Sequence, residues 1–214
     1  MITHLKLLFA ALLGLALASP ALAHPHVWVT MQAELVYAPD GSITGIRHAW
    51  TFDDVFSTYA TQGLPQTTKG EFTREELAPL AKENVDSLKE YGFFNYARVE
   101  GARKKDVFTD PTDYWLDFKS DTLTLNFTLP FKTPVKAKEL LIDIFDPEFF
   151  VNFEFVEKDP VKLTGAPATC KFEIVKPNDN KFPSAQRLDK DLRDSTENAG
   201  MGQLYASKIS VKCP

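Results

Sequence analysis

Residues 24–37 read HPHVWVTMQAELVY, and apolar side chains occupy every second position of this stretch. A period of two residues is typical of a β-strand with one buried face. The residues of the expected buried face are Pro25, Val27, Val29, Met31, Ala33 and Leu35. The opposite face begins with His24 and His26, so we expect both imidazoles to point away from the core.

A β-hairpin is predicted next. Strong turn residues follow as PDGS at positions 39–42, and a second strand-like run extends from Ile43 to Phe52. A turn of two or four residues would pair Trp28 with Asp53. Asp53 would then lie on the same face as the histidines.

The side of the sheet on which His48 lies depends on the length of this turn. With two or four turn residues, His48 lies opposite Ala33 on the buried face. With three, the register shifts by one residue, which brings His48 onto the histidine face and places Asp54 opposite His26 or Trp28. The sequence leaves both registers open.

The remainder of the chain predicts two helical segments and several more strands. A short helix is expected within 53–62, and a capping box at Thr73–Glu76 begins an amphipathic helix that ends near Gly92. Further strands are expected at Tyr96–Glu100, Tyr114–Phe118, Thr122–Leu129, Glu139–Phe145, Phe149–Val156, Lys171–Val175 and Leu204–Lys212. The polar stretch from Lys176 to Gly202 is expected to be a loop or a loosely held helix. The pattern predicts a single α+β domain, a mainly antiparallel, sandwich-like sheet with one principal helix.

Residues 1–23 have the pattern of a cleaved secretory signal. Lys6 precedes an apolar run from Leu7 to Ala18, and small residues follow at Ala21 and Ala23. We therefore expect cleavage after Ala23 and a single periplasmic domain over residues 24–214, soluble after processing. The net charge of −5 argues against nucleic acid as a partner.

The chain has two cysteines, Cys170 and Cys213. In an oxidising compartment they are expected to form a disulfide that pins the C-terminal strand. Closing a loop of this length is worth about 4 kcal/mol in the chain-entropy model.

A transition-metal site is predicted at the amino end of the processed chain. If His24 is the first residue, its α-amine and imidazole lie within chelating reach of one ion, and His26 projects from the same face. Because Pro25 has no N–H, the square-planar mode that uses deprotonated backbone amides is excluded. Nitrogen donors of this kind suit zinc, nickel or cobalt, and copper is possible. Asp53 and His48 are the further candidate ligands.

Each of these residues also has an ordinary structural interpretation. Two histidines near an exposed strand end are compatible with simple solvation, and His48 with a satisfied, partly buried histidine. Asp53 and Asp54 are well placed to cap the helix that follows them.

Several motifs together resemble the periplasmic family catalogued as domain of unknown function 1007. These are HPHVWV at 24–29, HAWTFDDVFSTYATQG at 48–63, LKEYGFF at 88–94, LTLNFTLP at 123–130 and DPEFFV at 146–151. The similarity runs from His24 to about Cys170. Members occur beside nickel, cobalt or zinc permeases, so the resemblance implies a metal-binding accessory that works with an inner-membrane metal permease. It carries over His24, His26 and Asp53 as ligands and adds Asp146 as a reserve candidate.

We therefore expect a binding protein rather than an enzyme. One alternative is a structural or protein-interaction domain whose histidines are incidental. The other is a copper-dependent oxidase-type enzyme, in which His48 would have to face the terminal histidine.

Overall fold

Two β-sheets pack face to face in the computed structural model, which describes residues 25–176 and 201–214. Their inner faces share one hydrophobic core. His24 and the predicted signal lie outside the described residues, as do residues 177–200 of the predicted polar stretch.

The first sheet is built around strand β1, Val27–Tyr37. β2 (Ile43–Phe52) pairs with one edge of β1, and then follow β6 (Thr122–Val135) and β5 (Thr112–Lys119). The other edge of β1 pairs with β8 (Val151–Phe155) and further along with β9 (Val161–Thr164). These last two pairings are parallel, so the sheet is mixed rather than wholly antiparallel.

The second sheet is wholly antiparallel. Its strands, in spatial order, are β10 (Lys171–Val175), β11 (Ser207–Lys212), β7 (Glu139–Ile144), β3 (Asn95–Val99) and β4 (Ala102–Lys104). The very short β4 and the four-residue β9 carry little periodicity, and the sequence did not predict either.

The described chain has two α-helices, where the sequence predicted one principal helix and a possible short one. Helix α1 spans Asp54–Thr61 and helix α2 spans Arg74–Leu88. The capping box at Thr73 is confirmed, because its side chain accepts the N–H of Glu76 while the Glu76 carboxylate accepts the N–H of Thr73. A 3₁₀ segment, Lys89–Phe94, follows α2, and a second, Met201–Tyr205, precedes β11.

The register of the β1–β2 hairpin combines the two alternatives. The N–H of Ala38 donates to the carbonyl of Ser42, which leaves a three-residue loop whose last member, Gly41, has a φ of +81°. A β-bulge at Val36/Tyr37 then shifts the pairing by one residue. As a result His48 pairs with Ala33 on the buried face, and the placement of Asp54 opposite His26 or Trp28 is wrong.

The disulfide between Cys170 and Cys213 is confirmed. It joins the start of β10 to the end of β11, and the backbone N–H of Cys213 also donates to the carbonyl of Lys138. The carboxyl end of the chain is thereby fixed to the second sheet. Within residues 25–176 and 201–214, no helix is long and apolar enough to cross a membrane.

Three consecutive residues after α2 adopt left-handed backbone conformations. Gly92, Phe93 and Phe94 have φ values of +58°, +56° and +52°. Glycine tolerates this conformation, but each phenylalanine costs about 1–3 kcal/mol, which the surrounding structure must offset. Both phenylalanine side chains are buried in the common core, so apolar burial is the compensating term.

Candidate metal centre

His26 lies at the amino end of β1 with its side chain exposed on the outer face of the first sheet. Its backbone N–H donates to the carbonyl of Phe150 at 2.8 Å, and the N–H of Val27 reaches the same oxygen at 3.2 Å. The imidazole centroid lies 4.7 Å from the Phe150 ring. The backbone of His26 is therefore fixed, while its imidazole stays accessible.

Asp53 joins the same end of β1 to helix α1. Its Oδ2 accepts the N–H of Trp28 at 2.8 Å, and its Oδ1 accepts the N–H of Phe56 at 2.8 Å as the N-cap of α1. The N–H of Asp53 donates to the carbonyl of Trp28, so the predicted pairing of these two residues is confirmed. Asp54 is exposed, and its Oδ1 accepts the N–H of Val55.

Asp146 holds the loop that carries the Phe150 carbonyl. This carboxylate is 4% exposed and accepts three backbone N–H groups at 3.0 Å each, from Glu148, Phe150 and Val151. Phe149, between these donors, has a φ of +56°, which is strained for a bulky residue. Because the loop is held by Asp146, β8 begins at Val151 rather than at the predicted Phe149.

The 3₁₀ segment before β11 packs against the loop that contains Asp146 and Phe149. The ring of Tyr205 stacks on Phe149 at 4.4 Å between centroids. Gly202 lies so close to Asp146 that a Cβ atom there would meet the Asp146 carbonyl oxygen at 1.6 Å. Only glycine fits at this position.

His48 lies on the inner face of the sheet and His26 on the outer face, so the structure does not bring the two histidines together. The ring of His48 stacks on Phe127 at 4.9 Å and lies 5.4 Å from the Trp50 ring, and His48 is 3% exposed. Burial lowers the pKa of His48 to about 3, although the nearby Asn95 side chain partly opposes this shift. The imidazole is therefore neutral at pH 7.

The donor set of the described residues at this end of β1 is the exposed imidazole of His26 and the carboxylate of Asp53. Asp53 is partly exposed, and each of its oxygens keeps a free lone pair beside the bond it accepts. Among residues 25–176 and 201–214, no group of three or more His, Cys, Asp or Glu side chains is arranged to hold a metal ion. His24, the other predicted ligand, lies outside these residues.

These features define the class of the protein. It has a two-sheet β-fold in which an exposed histidine is fixed at the end of a strand. The profile of the family described as protein of unknown function (DUF1007) matches residues 9–213, and the chain belongs to this family. The match extends beyond the region of similarity expected from the motifs, on both sides. An uncharacterized protein of Haemophilus influenzae is 22% identical over 207 residues, which cover 96% of this chain and 98% of the relative.

Three motifs far apart in the sequence converge at the amino end of β1. HPHVWV supplies the strand, HAWTFDD supplies Asp53, and DPEFFV supplies Asp146 and the Phe150 carbonyl. The sequence predicted Asp53 beside Trp28. It did not predict the role of Phe150, because a carbonyl acceptor leaves no signature in the residue type.

We predict that His48 makes the protein less stable in acid. Between pH 6.5 and about 3 the unfolded chain binds a proton at His48 that the folded chain does not, so stability falls as the pH falls through this window. One such proton lowers the free energy of unfolding by about 1 kcal/mol per pH unit. Urea unfolding between pH 7 and pH 4, with EDTA present, should show this slope reduced in His48→Leu and retained in the exposed-site control His26→Leu. Equal slopes in all three proteins would contradict the assignment.

We predict that Asp146→Ala destabilises the protein by about 3 kcal/mol, because three backbone N–H groups lose a charged, buried acceptor. The matched control is Glu148→Ala, which removes an exposed carboxylate from the same loop and should cost less than about 0.5 kcal/mol. Urea denaturation measures both values. A loss below about 1 kcal/mol for Asp146→Ala would show that the loop does not depend on this carboxylate.

Proposed function

We propose that this protein is a periplasmic accessory that binds a transition-metal ion at its processed amino end and exchanges it with an inner-membrane metal permease. The ion is the cargo of the protein. The proposed ligands are the α-amine and imidazole of His24, the imidazole of His26 and, from the same face, the carboxylate of Asp53.

The observation that carries this proposal is the way His26 is held. Ordering a flexible terminus around an ion costs conformational entropy, which reduces affinity. Here the Phe150 carbonyl already fixes the backbone of His26, and the Asp53 carboxylate fixes that of Trp28. Binding an ion therefore requires no further loss of backbone conformational entropy at these two residues. An exposed imidazole on a fixed backbone serves capture and release better than a buried one does.

The donor chemistry favours zinc, nickel or cobalt as the cargo. Imidazole and amine nitrogens suit all three ions, and one carboxylate oxygen is compatible with tetrahedral and octahedral geometry. Copper would bind most tightly on intrinsic affinity alone, so selection among these ions would depend on which metal is available.

Two features support the proposed compartment. Residues 1–23 have the composition of a cleaved signal, and a disulfide joins Cys170 to Cys213. Disulfides persist in oxidising compartments such as the periplasm. Cleavage after Ala23 would expose the His24 amine that the proposed site requires.

The burial of His48 bears on the copper-enzyme alternative. Such a site needs a second imidazole that faces the terminal one, and His48 points into the core from the opposite face of the sheet. The remaining alternative is a protein-interaction role in which the histidines bind no metal. Metal titration distinguishes this role from the proposed one.

The proposal is tested by calorimetric titration of Zn²⁺, Ni²⁺ and Co²⁺ into protein whose first residue is confirmed as His24. We expect at least a tenfold loss of affinity in His26→Ala, because one imidazole donor is removed. The matched control is Thr30→Ala. Thr30 lies on the same exposed face of β1 but further from His24, so this change should leave affinity unchanged.

A second variant tests the amine separately. Adding one alanine before His24 keeps both imidazoles but moves the α-amine out of chelating reach, so affinity should fall again. Unchanged affinity in both His26→Ala and the extended protein would refute metal binding at this end and favour the interaction role.

A further inference from the structure

A cleft of about 700 Å³ lies beside the 3₁₀ segment Lys89–Phe94. Its other walls come from β3, from β4 with the residues that follow it as far as Asp110, and from Lys132 of β6. This volume is in the range of small-molecule sites. None of its lining residues belongs to β1 or to the Asp146 loop, so the cleft is separate from the candidate metal centre.

The cleft is basic although the chain as a whole carries a net charge of −5. Its lining includes five cations, Lys89, Arg103, Lys104, Lys105 and Lys132, and two carboxylates, Asp106 and Asp110. The local excess is thus three positive charges. A concave surface with an excess of one charge concentrates ligands of the opposite charge.

The two carboxylates are already engaged in ion pairs. Lys89 Nζ lies 2.8 Å from Asp110, and Lys132 pairs with Asp106. Lys104 and Lys105 are both exposed, and neither forms an ion pair with any residue that the structure describes. Their charges are therefore available to an anion in the cleft.

The floor of the cleft is apolar and aromatic. Phe93 and Phe108 are 6% and 8% exposed, and Tyr96 is a further aromatic residue of the lining. The guanidinium of Arg103 lies 5.0 Å from the centroid of the Tyr96 ring. Burial raises the pKa of Tyr96 to about 12, so its hydroxyl keeps its proton and does not repel an anion.

The shape of this floor depends on the strained backbone described above. Left-handed φ values at Gly92, Phe93 and Phe94 turn the chain sharply and place Phe93 against the cleft. Asp106, which also lines the cleft, has a positive φ of +51°. Strain of this kind is concentrated at ligand-binding sites, where the fold must hold a defined shape.

We infer that this cleft binds a small organic anion, one with a flat apolar body and a carboxylate or phosphate group. The aromatic floor would contact the body of the ligand, and Lys104 and Lys105 would contact its charge. A bare inorganic ion would leave the floor uncovered, and a neutral aromatic would leave the lysines unmatched. This inference does not depend on the proposed metal function.

Titration of the purified protein with 2-naphthoate and 2-naphthyl phosphate tests the inference. Neutral 2-naphthamide and inorganic phosphate report the separate contributions of the aromatic body and the charge. We expect both naphthyl anions to bind at least tenfold more tightly than either control probe, with affinity falling as salt is raised. The stronger of the two anions identifies carboxylate or phosphate as the preferred group.

The variant Lys104→Glu/Lys105→Glu should lower the affinity for the better anion at least tenfold. The matched control Lys119→Glu/Lys158→Glu makes the same charge change at two exposed lysines outside the cleft and should change affinity less than threefold. Amide NMR shifts caused by the anion should fall on residues 92–96 and 103–109. Absence of binding at millimolar anion, equal binding of 2-naphthamide, or equal losses in both double variants would overturn the inference.

Discussion

Strand β1 is bonded along both edges, and the rest of the structure depends on this arrangement. β2 pairs with it in antiparallel fashion on one edge, while β8 and β9 pair in parallel on the other. Its inward side chains Val29, Met31 and Leu35 are no more than 1% exposed. A strand held in this way cannot shift by one residue without moving its apolar side chains to the solvent face. The outward position of His26 is therefore fixed by the core.

At its amino end, two carboxylates supplement the backbone hydrogen bonds that hold β1. Asp53 accepts the Trp28 N–H directly, and Asp146 acts through the loop whose carbonyl accepts the N–H groups of His26 and Val27. Acidic residues near a histidine are readily interpreted as metal ligands. Here the two carboxylates differ in exposure, because Asp146 is buried and accepts three backbone N–H groups, whereas Asp53 is partly exposed and accepts two. The reserve candidate Asp146 is thus better explained as a positioning residue.

Local patterns in the sequence predicted the elements whose causes are themselves local. Alternation predicted β1, and the Thr73–Glu76 capping box predicted the start of α2. The two cysteines, together with the signal-like pattern of residues 1–23, predicted the disulfide. Pairings between distant segments left no such trace, so the parallel contacts of β8 and β9 with β1 emerged only from the structure. Short strands such as β4 have too few residues for a period to be detectable.

The hairpin register shows why part of the site was ambiguous. Residues 39–41 of the PDGS turn form a three-residue loop. By itself, a loop of this length would place His48 on the outer face of the sheet. The bulge opposite Val36/Tyr37, in which Thr44 is the extra residue, reverses that effect, and nothing in residue type distinguishes a bulged threonine from a paired one. The burial of the apolar face then selects the register in which His48 joins Trp50 and Phe127 in the core.

The amino end of β1 is fixed and not frayed. Native-state hydrogen exchange measured by NMR tests it directly at the amides of His26 and Trp28. We predict that both exchange within tenfold of the mid-strand amide of Ala33, whose N–H donates to the Pro160 carbonyl. Exchange at the rate of an unstructured terminus would show the opposite, that the histidine is not held in place.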